Sequence, residues 1–284
     1  MNKKKILTLA AAIIVVVMAV SSVTLAYLSD TDNKDNVFTV GNVTIDLIEQ
    51  QRSGDVDDEG VPVLEDFEQS KKLLPIVGSA QGEKDALGMP TAKNYVDKMV
   101  TIKNTGSEKA YIRAYFAIPS ALDDGYETFN AGKNILHFNF GKEVVDGVVK
   151  DTDDYAWSWK HTNAAGQTKW NYFETVIDSI KYNVYYADYY MPLAAGATTE
   201  RLINGVYLDS SFDYVDMSDT SEDSYYAAFG DEIELDDAWS WSNVKCPVFA
   251  VAVQAEGFAS ANEAVTAAFG AQYNPFGATA TNWQ

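Results

Sequence analysis

A single cysteine, Cys246, in 284 residues excludes any intramolecular disulfide. It precedes Pro247 at the edge of an apolar run, where a buried free thiol is expected and an intermolecular bridge is the alternative. Histidine is nearly as scarce, with His137 and His161 alone. There is no His-Glu-x-x-His, so the zinc-protease arrangement is absent, and one cysteine cannot build a thiolate zinc site. His137 sits in an apolar strand pattern and reads as structural. Neither a Gly-x-Ser-x-Gly elbow nor a phosphate-cradling glycine loop occurs. The expectation is a protein that is not an enzyme and carries no cofactor. A paired-carboxylate hydrolase stays open on sequence alone, because acids are abundant and their separation in space is invisible.

Positive charge is also short. Lys and Arg number 21 against 41 Asp and Glu, a formal charge of −20. Three of the lysines, Lys3, Lys4 and Lys5, stand at the very start. Without them the balance is 18 against 41, or −23. Such a surface repels nucleic acid and anionic lipid, and suits solvation, divalent cations or a basic partner.

The first residues have the three parts of a secretory signal peptide. Lys3–Lys5 form the positive region, Ile6 to Val20 the apolar region, and Thr24 and Ala26 are small residues before Tyr27. This predicts a signal peptide over 1–26, with cleavage between Ala26 and Tyr27, and an exported mature chain. The membrane is then met only through the precursor's signal segment. The alternative is an uncleaved anchor, since the apolar character runs on to Leu28.

The mature chain has a β pattern. Val37 to Leu47 reads as a strand, a kink at Gly41-Asn42 and a second strand. Residues 50–92 are acidic, with scattered Gly and Pro, and read as a surface excursion. Val96, Val100 and Ile102 share one strand face, Asn104-Thr105-Gly106-Ser107 is a turn, and Ala110, Ile112, Ala114, Phe116 and Ile118 alternate against Tyr111, Arg113 and Tyr115. The expectation is a hairpin. Further strands are expected over 135–140, 180–190, 199–208 and 248–255, the last apolar on both faces and therefore central. Ser260-Ala261-Asn262-Glu263 is a capping box for a short helix that Gly270 ends. The tail to Gln284 has no hydrophobic anchor and no wall-sorting motif. The fold class expected is all-β, mainly antiparallel: a jelly-roll-like β sandwich over 41–284, with long insertions, one helix near the C-terminus, and 27–40 as a separate N-terminal segment.

Two further sets of residues invite chemistry. Asp55, Asp57, Glu59 and Asp66, with Gly60, fall at the acid and glycine positions of a calcium loop. Pro62 replaces an apolar residue, Asp66 replaces a bidentate Glu, and no flanking helices are apparent, so a solvated acidic loop is the alternative. Trp157 and Trp159, echoed by Trp239 and Trp241, together with the tyrosines around Tyr185, would suit sugar stacking on an exposed face or core packing on a buried one.

The junction Ala26-Tyr27-Leu28-Ser29-Asp30-Thr31-Asp32, followed by Asn36-Val37-Phe38-Thr39-Val40-Gly41-Asn42-Val43-Thr44-Ile45, resembles the TasA/camelysin family. Val100-Thr101-Ile102-Lys103-Asn104-Thr105-Gly106 resembles that family's second block. The resemblance covers about the first fifty residues and this strand-turn; the long insertions and the Trp pairs depart from it. It implies an exported protein of Gram-positive bacteria processed by a SipW-like signal peptidase, and a jelly roll. It also implies a structural role in the biofilm matrix or at the cell surface, by self-association into fibres or with other matrix proteins. The segment freed at Tyr27 would act as a donor strand, with Tyr27, Leu28, Val37 and Phe38 as its docking side chains. Some relatives carry a metallopeptidase label, for which no zinc motif is present here. The rival reading from the residues is a secreted carbohydrate-binding module.

Overall fold

A six-stranded and a five-stranded sheet, each apolar on its inner face, enclose the main core. The computed structural model describes residues 37–40, 43–69, 71, 73–123, 134–140, 144–145, 148–149, 156–211, 213–214, 225–228, 231–234, 245–277 and 279–284. The strands in chain order are β1 (Val37–Val40), β2 (Ile45–Val56), β3 (Pro62–Asp66), β4 (Val96–Asn104), β5 (Ala110–Pro119) and β6 (Leu136–Phe140). Two short pieces, β7 (Val144–Val145) and β8 (Val148–Val149), precede β9 (Trp157–Ser158), β10 (Lys160–Thr162), β11 (Thr168–Trp170), β12 (Tyr172–Ile177) and β13 (Ile180–Tyr189). Then follow β14 (Ile203–Leu208), β15 (Asp213–Tyr214), β16 (Tyr225–Ala228), β17 (Asp231–Glu234), β18 (Val248–Gln254) and one helix, α1 (Ala261–Phe269).

The first layer runs β1-β18-β5-β13-β12, with β9 also on β13; the second runs β3-β2-β4-β14-β6. Among the described strands of the two sheets all pairings are antiparallel except β1 on β18, and Pro75 adds an isolated parallel bridge to Leu208. This is the expected all-β sandwich with one short C-terminal helix.

The alternation in β5 places its residues as expected. Ala110, Ile112, Ala114, Phe116 and Ile118 face the core between the sheets, with Val100, Ile102, Phe138 and Tyr185. Tyr111, Tyr115 and Ala117 face a second apolar layer beneath α1 and the C-terminal tail. Every residue of β5 is therefore buried. β18 is buried the same way: Val248, Ala250 and Ala252 point inward, and Phe249, Val251 and Val253 point toward α1. The helix cap forms as the sequence predicts, with Glu263 N–H donating to Ser260 Oγ at 3.2 Å and Glu263 Oε2 accepting from Ala259 N–H at 2.9 Å. Past Gly270 the chain runs back over the sheet. Trp283 stacks on Phe173 at 4.2 Å, and Thr281 exchanges both backbone hydrogen bonds with Glu174 of β12.

Three expectations are corrected. β4 and β5 form no hairpin: β4 pairs with β2 and β14, β5 with β13 and β18, so the Asn104–Ser107 link crosses between sheets. The backbone groups there find other partners. Thr105 and Gly106 N–H donate to Thr44 O at 2.8 and 3.0 Å, and Asn104 Nδ2 donates to Glu108 O and Leu193 O. Residues 50–92 are not wholly a surface excursion, because β2 continues to Val56 and turns into β3. Finally, Val37–Val40, assigned to a separate segment, is hydrogen-bonded into the first sheet.

Candidate functional site

β18 is fixed on one side by seven register pairs with β5, from Val248 opposite Phe116 to Gln254 opposite Ala110. Its other side takes β1 in parallel, with Val37 opposite Ala250, Phe38 opposite Val251, Thr39 opposite Ala252 and Val40 opposite Val253. The β-branched and aromatic run Val37-Phe38-Thr39-Val40 suits a strand. β1 ends the sheet and covers an edge that would otherwise present unpaired N–H and C=O groups. Of the residues expected to carry assembly, Val37 and Phe38 lie in this strand, while Ala26, Tyr27 and Leu28 lie outside the described residues. The whole signal segment lies outside them too.

The acids of the calcium pattern sit on a β hairpin. Asp57 Oδ1 accepts from Glu59 N–H at 3.0 Å and Val61 N–H at 2.8 Å, and Gly60 N–H donates to Asp57 O at 2.9 Å, closing the turn between β2 and β3. Asp66 stands opposite Gln50, five residues back along β2 from Asp55. At about 3.4 Å per residue that separates them by roughly 17 Å, so the four side chains do not converge. Among the described residues no three His, Cys, Asp or Glu side chains gather to hold a metal ion.

Trp157 and Trp159 are brought together, but inside. They are 2% and 3% exposed. Trp157 Nε1 donates to Glu200 O at 3.1 Å, and Trp159 packs on Phe140 at 4.8 Å between ring centres. Rings so placed offer no stacking platform at the surface. Trp239 and Trp241 lie outside the described residues.

Sequence reading missed the buried polar groups. Asp123 Oδ2 accepts from Tyr185 Oη at 2.7 Å and Asn183 Nδ2 at 2.9 Å, and Asn183 Oδ1 accepts from Tyr172 Oη at 2.9 Å and Ser120 Oγ at 2.9 Å. Burial first, and then the Asp123 carboxylate, push the Tyr185 phenol far above its usual pKa. Tyr189 donates to Glu200, and burial followed by that carboxylate holds it protonated as well. These phenols are locked donors, suited to bracing β13 against neighbouring loops. In the second sheet Arg52 spans the excursion: Nε and Nη2 meet Asp97 at 2.7 Å each, Nη1 meets Asp85 at 2.8 Å, and Nη2 donates to Pro90 O at 3.1 Å. The expected strand over 180–190 and its tyrosine cluster were the only sequence signal for any of this, since the partners come from distant loops.

The remaining sequence candidates have quiet surroundings. His161 Nδ1 meets Asn171 Oδ1 at 2.8 Å. Burial pushes the Cys246 thiol up to about 12, which leaves it protonated and unreactive. A shallow recess is lined by Glu108, Lys109, Gln254, Ala255 and Glu256. No helix among the described residues is long and apolar enough to cross a membrane. No protein-family model matches this chain, and the searches of curated proteins and of solved structures give no match.

Proposed function

We propose that this is an exported structural protein of the cell surface or biofilm matrix, of the TasA/camelysin kind, that self-associates through its N-terminal strand. The observation that carries this reading is the parallel seat of Val37–Val40 on β18 at the open end of the first sheet. Only four residues pair there, and parallel ladders are slightly weaker per residue than antiparallel ones. An equivalent strand from a neighbouring chain can take the same register with the same hydrogen bonds, so exchange between copies costs little. Signal cleavage before Tyr27 frees the segment ahead of the strand to reach across. A head-to-tail exchange of this kind does not close, and grows a fibre. Burial of Trp157 and Trp159 favours the scaffold over the sugar-binding reading.

Electron microscopy of the processed protein tests this. The mature chain beginning at Tyr27 is expected to form fibres, and a chain lacking Tyr27 through Val40 to stay folded and form none. Identical fibres from both chains would sink the reading.

A further inference from the structure

Two exposed hairpins carry opposite charge and sit on opposite sides of the sandwich. From Ser53 to Glu68, around the β2–β3 turn, there are seven acids and no lysine or arginine. From Ala156 to Phe173, around the β10–β11 turn, there is no acid, but Lys160, His161 and Lys169. In a chain of −20 it is a locally basic stretch.

The basic hairpin is built rather than loose. The chain leaves the first sheet after Ser158 and rejoins it at Tyr172, and between these points β10 and β11 pair only with each other. Asn171 Nδ2 ties its base to Ser158 O at 2.8 Å. At the tip, Asn163 Oδ1 accepts from Ala165 and Gln167 N–H at 3.0 Å each, and Gly166 takes a φ of +76° that a side chain would strain. Lys160 Nζ lies 4.4 Å over the ring of its cross-strand partner Trp170, which holds the charge on the hairpin. Lys160, His161, Thr162 and Thr168 are exposed.

The acidic hairpin combines charge with apolar surface. Val56 and Val63 are 61% and 41% exposed, and β3 pairs with β2 alone among the described strands. β3 is the first strand of its sheet, on the side where β1 and β18 pack against β2. The basic hairpin lies at the other side, where Trp170 stacks on Phe140 of β6, the last strand of that sheet. With the width of a five-stranded sheet between them, the two hairpins of one chain cannot meet.

We propose that the basic β10–β11 hairpin of one copy docks on the β3 edge of the next. Charge complementarity points to a second copy as the partner: the acid-only β2–β3 edge is an exposed matching surface that this chain itself supplies. Because the two faces lie on opposite sides, the contact is heterologous and propagates rather than closing. It goes beyond strand exchange at β18 and does not need it.

The test uses the mature chain and sedimentation velocity at low and high salt. Lys160→Glu with Lys169→Glu, or Asp55→Lys with Glu59→Lys, is expected to weaken self-association by about tenfold or more, as like charges then face each other. The chain carrying all four substitutions is expected to associate again, and an equimolar mixture of the two double variants to form a complex that neither forms alone. Added salt is expected to weaken the contact in the unmodified chain. Association unaltered by either double variant would overturn the proposal. So would loss on reversing the lysines but not the acids, which would assign the hairpin to some other anionic partner. Failure of the folded four-substitution chain to associate would also overturn it. Fibres that persist in all variants would refute this contact and leave strand exchange standing. Salt-sensitive pairing in a chain that forms no fibres would do the reverse.

Discussion

Arg113 and Asp188 stand directly opposite each other on β5 and β13 and form a two-pronged ion pair, Nε to Oδ1 at 2.6 Å and Nη2 to Oδ2 at 2.9 Å. Nη2 also donates to Asn262 Oδ1 at 2.9 Å, and the guanidinium lies 4.8 Å from the Tyr186 ring centre. One side chain thus joins the sheet to α1. Burial alone would lower the guanidinium pKa, but the Asp188 carboxylate more than offsets it.

Removing one member of this pair leaves a charge with its partner gone. Arg113→Met is expected to destabilise by about 3–5 kcal/mol in urea unfolding. Arg113→Met with Asp188→Leu is expected to recover most of that loss, since two apolar groups leave no uncompensated charge. A double variant as unstable as the single would mean that the Asn262 link to α1 carries the effect.

Gly205 tests the packing of the second sheet. It sits at a bulge in β14, and a Cβ there would meet Val96 O and come within 2.7 Å of the Tyr95 ring. Neither neighbour is a flexible chain end. Gly205→Ala is expected to cost about 1–3 kcal/mol, read as a lower thermal midpoint. An unchanged midpoint would show that β14 can shift at this point.

How far the sequence foretold this depends on whether the signal was local. The two faces of β5, the doubly buried β18 and the Ser260 cap all follow from residues within one element, and they hold in the structure. The β4–β5 hairpin failed because Asn-Thr-Gly-Ser is equally good chemistry for a turn and for a crossing. What decides is Thr44 O, some sixty residues upstream, capturing two of its N–H groups. The acidic run looked like a loop because Asp and Glu disfavour strands, yet Arg52 ties it to Asp85 and Asp97. Trp157 and Trp159 were legible as a pair but not as buried, since burial depends on β6 and the loop at Glu200.

The proposed processing before Tyr27 makes a direct prediction at the sequence level. Thr24 and Ala26 present small side chains at the third and first positions before the cut. Mass spectrometry of the exported protein is expected to find Tyr27 first. Ala26→Phe is expected to leave the precursor uncut, because the peptidase pocket admits only small residues. An intact N-terminus on the extracellular protein would refute it.

His137 should make stability depend on mildly acidic pH. Its ring stacks on Tyr207 at 5.0 Å, and Nε2 meets Asp209 Oδ2 at 3.0 Å. Burial lowers its pKa, and the Asp209 carboxylate recovers only part of the loss. With the folded pKa below the unfolded value of about 6.5, the unfolded chain takes up the proton first, so stability falls as pH drops through that value. Asp209 acts lower down. Burial pushes its pKa up, but Ser211 donors and His137 more than offset this and hold it below 3.8. Its contribution is therefore intact at pH 5 and disappears only below about pH 4. Melting the protein between pH 7.5 and 5 separates the two groups. The unmodified chain is expected to lose stability across that interval, and His137→Gln, which cannot take up a proton, to lose less. Equal slopes in both chains would show that His137 is not the group responsible.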